Sequence, residues 1–290
     1  MSILCNPNWR EAEWSMYRYV PSTGPAVIFC LLFLVSGIIH GWQMWKTKAW
    51  FLSALVAGCF LEFIGYAARA ASAGDEPGCW RMMPYIIQTI FILLGPALFS
   101  ASIYMILGRI IILVDGGAYS LVNPRLITRI FVAGDILWLF LQSGSGGLIA
   151  GGRNVPIMGR IGNGLVIACL FAQTLWFFFF VAVAVVFHRR MLRAPTAASQ
   201  EPNIRWEHYL HTLYAVGILV MVRSLFRAIE FIGGSGGTLM TSEVYLYVLD
   251  ALLMFVAVAL LHWRHPGEIS VLARGGRPDT NGLRLLLPKA

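Results

Sequence analysis

Seven ionisable side chains lie inside stretches otherwise rich in Leu, Ile, Val, Phe and Ala: Glu62, Arg69, Asp135, Arg223, Arg227, Glu230 and Asp250. A charge at the centre of a bilayer costs at least ~2.5 kcal/mol on insertion scales, so each needs an opposite charge or a water-filled cavity. Residues three, four or seven apart share one helix face. By that spacing Glu62 aligns with Arg69, Asp135 with Gln142, Arg223 with Arg227 and Glu230, and Glu243 with Tyr247 and Asp250. Such stripes can hold helices together as a lattice of ion pairs, or line a cavity that takes the head group of a small molecule. One lattice can do both.

The elements that must position these residues follow from composition. Of 290 residues, 58% are hydrophobic and 12% charged, against about 25% charged in a soluble domain. A water-soluble fold is excluded. A spanning helix needs about 20 mostly apolar residues, and seven stretches qualify, near 25–45, 49–71, 84–112, 126–150, 161–187, 209–232 and 244–263. The expected fold class is an all-α membrane protein, a seven-transmembrane-helix bundle over 25–263. It is flanked by an N-terminal segment, 1–24, and a basic, solvated tail, 264–290, poor in fixed structure after Pro266. Gly95-Pro96 predicts a tilt or kink in the third helix. Trp9, Trp14, Tyr17 and Tyr19 read as interfacial anchors.

Lys and Arg divide fourteen to five between the two sets of loops, which predicts an N-terminus outside and a C-terminus in the cytoplasm. The net charge of +8 therefore describes one membrane face, and a nucleic-acid partner is excluded because no single basic patch forms. Counting inward at about 1.5 Å per residue puts Glu62, Gln142 and Arg223 at one depth, about 12–14 Å, with Arg227 and Asp250 shallower. Four helices would then supply one polar cluster, with Glu62 and Asp250 facing the two arginines of the sixth helix. The expected ligand-binding residues are Glu62, Arg69, Asp135, Gln142, Arg223, Arg227, Glu230, Tyr247 and Asp250.

Cys5 and Cys79 both fall outside in this topology, which allows a disulfide between them. The six histidines gather near the cytoplasmic boundary, and the pairs His208/His211 and His262/His265 have an i,i+3 spacing. With no carboxylate expected at their depth they read as interfacial residues, so no metal and no cofactor is expected. Gly144, Gly146 and Gly147 read as a site of close helix approach or a helix end. The aromatic run Trp176 to Phe180 reads as a lipid-facing or packing surface. No nucleotide-binding Gly-x-x-x-x-Gly-Lys-Ser/Thr loop, Gly-x-Ser-x-Gly elbow or His-Glu-x-x-His helix occurs, and no lysine lies at membrane depth to hold a retinal.

Several of these residues, in this order, resemble the fungal RTA-like family of lipid-translocating exporters. The similarity runs from Tyr19-Val20-Pro21-Ser22 through His40, then Leu61 to Tyr66 with Arg69, Gln88, Gly95-Pro96-Ala97, Ala101 to Met105 and Gly108-Arg109. It continues with Gly134-Asp135, Gln142, Gly146-Gly147, Arg223 to Arg227, Glu230, Glu243, Tyr247, Asp250 and His265-Pro266-Gly267. The resemblance implies a multi-pass protein of plasma or internal membranes. Such a protein moves or senses amphipathic molecules such as sphingoid bases, sterol-like toxins or porphyrins, without ATP. Two other classes stay open on the sequence, a seven-helix receptor or stress sensor and a membrane-embedded lipid-modifying enzyme. Oligomeric state leaves no mark in the sequence.

Overall fold

A computed structural model describes residues 5, 8–10, 16–151, 155–202, 204–233 and 242–275. Arg153, Trp14, the glycines Gly234, Gly236 and Gly237 and the basic residues beyond Gly275 lie outside the described residues. Those described form helices and turns with no strand. Seven helices are long: α1 Thr23–Thr47, α2 Ser53–Ala73, α3 Met82–Leu113, α4 Pro124–Gly151, α5 Pro156–Arg193, α6 Trp206–Gly233 and α7. The last is composite, with Glu243–Leu246 leading into a π-helical stretch, Tyr247–Leu252, and then Leu253–Trp263. A short α8, Gly267–Leu272, follows.

Six of the seven long helices are long and apolar enough to cross a membrane. The exception is α6, whose polar residues run from His208 and His211 to Arg223, Arg227 and Glu230. Helix ends explain themselves locally. Pro156 opens α5, where a missing N–H costs nothing. Lys48 adopts a left-handed conformation (φ 53°) and gives its N–H to the carbonyls of Met44 and Trp45, which closes α1.

The centre of the bundle is α3, with α2, α4 and α6 packed around it; α4 lies on α5, and α6 and α1 both contact α7. The α2–α3 seam is close because small residues sit in it. A Cβ on Gly58 would stand 2.6 Å from the Phe99 ring, and one on Gly65 would stand 2.7 Å from Ile92 Cγ1 and 3.2 Å from its backbone nitrogen. In lipid, where tails are as apolar as Leu, such close backbone approach replaces the hydrophobic effect as the source of helix association.

Two expectations change. Gly144 to Gly147 do not end α4, which continues to Gly151, and a Cβ on Gly144 would meet open space, while the surroundings of Gly146 and Gly147 lie outside the described residues. The tail does not lose structure at Pro266, for α8 turns back and buries Gly267, Glu268, Ile269 and Val271 against the bundle. At the opposite end Cys5 and Cys79 are bonded. There Trp9 and Tyr17 are buried against Trp80, with edge-to-face ring centroids at 5.0 Å, rather than spread at a membrane surface. Burial pushes the Tyr17 phenol up to about 12.

Because Gly65 meets both a side chain and the backbone of α3, Gly65→Leu is expected to destabilise the protein by about 1–3 kcal/mol. The thermal unfolding midpoint of purified protein should fall, whereas Gly144→Leu should leave it unchanged.

Candidate functional site

Arg223 and Arg227 sit one turn apart on α6, and their guanidinium groups converge on one carboxylate. Arg223 Nε donates to Asp250 Oδ1 and Arg227 Nη2 to Oδ2. Asp250 is 1% exposed. Arg227 also donates through Nη1 to Glu230 Oε2 at 2.9 Å. Two stacked cations on a buried helix face would repel each other; the shared acid between them offsets that repulsion and part of the cost of taking the guanidiniums out of water. Asp250 lies inside the π-helical stretch of α7, an irregularity frequent where a helix must aim a functional side chain.

Arg223 makes a second contact that explains a proline. Its Nη2 donates to the backbone carbonyl of Ile92 at 2.9 Å. Ile92 precedes Pro96 by four residues on α3, and Pro96 has no N–H to give that carbonyl. The guanidinium supplies the missing donor, so α3 runs unbroken past the proline and is tied to α6 at that point.

Glu62 on α2 completes this group. Its carboxylate occupies the room left by Gly95, where a Cβ would stand 2.6 Å from Oε1. The charges that act on it are those of Asp250, Arg223 and Arg227. Glu62 Oε1 and the Tyr66 hydroxyl are buried and make no hydrogen bond among the described residues.

Arg69 does not join Glu62. It turns toward the disulfide end, where Nη2 donates to Glu243 Oε1 at 2.7 Å and to the Tyr19 hydroxyl at 2.8 Å, and Nε to the Tyr247 hydroxyl at 3.0 Å. The rings of Tyr17, Tyr19 and Tyr247 surround its guanidinium carbon at 5.9, 5.6 and 5.4 Å. Both Glu243 oxygens accept the Ser22 N–H, at 3.0 and 2.9 Å. Arg69 therefore fastens the segment before α1 to the start of α7.

Asp135 and Gln142 also stand apart from the arginines. The Asp135 carboxyl faces the Tyr104 hydroxyl of α3, and Gln142 Nε2 donates to Gln173 Oε1 of α5 at 2.9 Å. The expected single cluster thus divides, with Arg69, Asp135 and Gln142 each joined to partners of its own, and the fourth helix at its centre is α3 rather than α4. Residues outside the sequence expectation are Tyr19, Ser22, Tyr104, Gln173 and the Ile92 carbonyl. Of these, Ile92 had a readable signal, a proline four residues on.

Beside the arginines, α3, α5 and α6 leave a narrow cleft of about 20 Å³; Ser100, Gln173, Arg223, Ser224 and Arg227 form its polar wall. That volume is room for about one water-sized group, and apolar residues of the same three helices, among them Leu93, Leu170 and Val220, line the rest of it.

The histidines also rearrange. His40 and His265 are buried, and His40 lies between His265 and His262, with ring centroids at 5.6 and 5.4 Å. His40 Nε2 bonds the Val258 carbonyl at 3.2 Å, His262 Nδ1 the Gln43 amide oxygen at 3.1 Å, and His265 Nδ1 accepts the Gly267 N–H at 3.1 Å. A carboxylate does occur at this end, since the Tyr209 hydroxyl donates to Glu268. These contacts pin α8 to α1, α6 and α7. No group of His, Cys, Asp and Glu among the described residues is arranged to hold a metal ion.

Removing one member of a buried pair leaves an uncompensated charge, so Asp250→Asn, which leaves Arg223 without an acid and Arg227 with Glu230 alone, is expected to cost about 3–5 kcal/mol. Glu230→Gln should cost clearly less, because Arg227 keeps Asp250. Unfolding midpoints of the two purified variants test that order.

The chain is similar to several fungal membrane proteins. It is 33% identical over 272 residues to "Protein RTA1" of Saccharomyces cerevisiae, covering 85% of this chain and 83% of the relative. It is 29% identical over 283 residues to "Protoporphyrin uptake protein 1" of the same species, covering 86% and 91%. With the "Lipid-translocating exporter-like protein RTA1" of Leptosphaeria maculans it shares 32% identity over 274 residues, 87% of this chain and 51% of that one. No solved structure matches. The family model described as "RTA1 like protein" matches residues 55–271, a range that holds α2 through α8, the arginine pair, Asp250 and Pro96. This multi-pass membrane protein belongs to the RTA1-like family.

Proposed function

We propose that the chain is a translocase of amphipathic lipids or lipid-like toxins, working without ATP in a bundle that spans the membrane seven times. In this reading α6 spans with the other six helices, its charges offset by partners inside the bundle. The N-terminus faces outside and the C-terminus the cytoplasm, and the plasma membrane is the expected location. Among the expected site residues, Arg223, Arg227, Asp250 and Glu62 receive the head group, while Arg69, Glu230, Tyr247, Asp135 and Gln142 position the helices that carry them. The candidate substrates are sphingoid bases, sterol-like molecules and porphyrins.

One observation carries the proposal. The cleft between α3, α5 and α6 joins an apolar surface to buried arginines whose charges are already balanced. A head group can exchange there without leaving a bare charge in the hydrocarbon. Two relatives carry names that fit, one for protoporphyrin uptake and one for lipid translocation.

Vesicles containing the purified protein and no ATP are expected to move at least one of three probes faster than protein-free vesicles: a labelled sphingoid base, a sterol amine or protoporphyrin. Ser224→Trp, which fills the cleft without touching the ion pairs, should abolish the difference. Failure of all three probes would sink the proposal. Ligand-dependent recruitment of a cytoplasmic protein without flux would favour the receptor reading instead.

A further inference from the structure

The ion-pair group has two unlike sides, and the cleft meets only one of them. Arg223 and Arg227 form part of its wall, and no acidic side chain does. Their counter-ions lie elsewhere: Asp250 is enclosed in α7 and Glu230 lies one turn along α6 from Arg227. In a low-dielectric interior the nearer charge dominates the local field. The cleft therefore presents the positive side of a neutral group.

Its other polar atoms agree with that sign. The guanidinium nitrogen Nε of Arg227 is buried and donates to no group among the described residues. Gln173 uses its Oε1 to accept from Gln142, so the end of the amide not engaged there is its NH2 donor. The hydroxyls of Ser100 and Ser224 donate to the Pro96 and Val220 carbonyls of their own helices, at 3.1 and 3.0 Å. Hydroxyls rotate, so both can donate to a ligand instead. Arg223 is fixed from behind by Asp250 and the Ile92 carbonyl, which orients it before any ligand arrives.

We infer that the cleft between α3, α5 and α6 selects amphiphiles with an anionic head group, a carboxylate or a phosphate, over amines. The inference rests on the translocase reading and narrows it. An ammonium head would meet two cations in this cleft with no acid on its wall. A carboxylate or phosphate would meet a guanidinium edge and three groups able to donate.

Dodecyl phosphate, dodecanoate, dodecylammonium and dodecanol, titrated calorimetrically into the purified full-length chain in neutral detergent, test this. The two anions are expected to bind roughly tenfold or more tightly than the ammonium, and the tighter of the two identifies the head group. Gln173→Glu keeps the shape of the side chain and its contact with Gln142 while adding a negative charge to the wall. It should weaken both anions by about tenfold or more, leave dodecanol unchanged and preserve the unfolding midpoint. Ammonium binding equal to or tighter than the anions overturns the inference and leaves the translocase reading standing. Anion binding that Gln173→Glu does not alter does the same. Absence of binding by all four probes overturns both.

Discussion

Two guanidinium groups sharing one carboxylate inside a membrane bundle set the conditions that the rest of this structure meets. Neither arginine could remain at its depth without Asp250, and Asp250 could not remain without them. The surroundings follow from that mutual need. The π-helical stretch in α7 holds the acid, Gly95 gives Glu62 room beside the group, and Pro96 frees a carbonyl that uses a donor of Arg223. Each of these features would weaken a helix considered alone. Together they join α2, α3, α6 and α7 at one place.

Away from this centre the bundle is fastened at both ends by different chemistry. At one end the disulfide, the buried Trp9, Tyr17 and Trp80, and Arg69 with its ring of tyrosines and Glu243 hold the N-terminal segment over the helix ends. At the other, His40, His262 and His265 with Gln43 and the Tyr209–Glu268 bond hold α8 beneath α1 and α7. The cleft beside the arginines lies between, on the side where α5 meets α3 and α6.

The helices themselves were legible in the sequence, because a long apolar run has few alternatives in a bilayer. So was the pairing of Asp250 with both arginines, since a helix face carrying two cations demands an acid. Depth counting failed for Gln142, and spacing along the helix failed for Arg69. Depth fixes height but not rotation about the bundle, and Arg69 reaches Glu243 and two tyrosine hydroxyls where a stripe rule would give it Glu62. His40 and His265 were misread for a similar reason. Their place near a membrane boundary suggested exposure, but α8 folds back over His40 and His265, and a six-residue helix after Pro266 has too little pattern to announce itself. The π-helical stretch left no compositional trace at all.

The central claim is that Arg223 and Asp250 act on each other rather than merely lying close. A double-mutant cycle with Arg223→Gln, Asp250→Asn and the combined variant, read as unfolding free energies of the purified protein, measures that directly. The account predicts a coupling of about 2–3 kcal/mol, with the double variant less damaged than the sum of the single ones. Additive effects, with a coupling near zero, would contradict it.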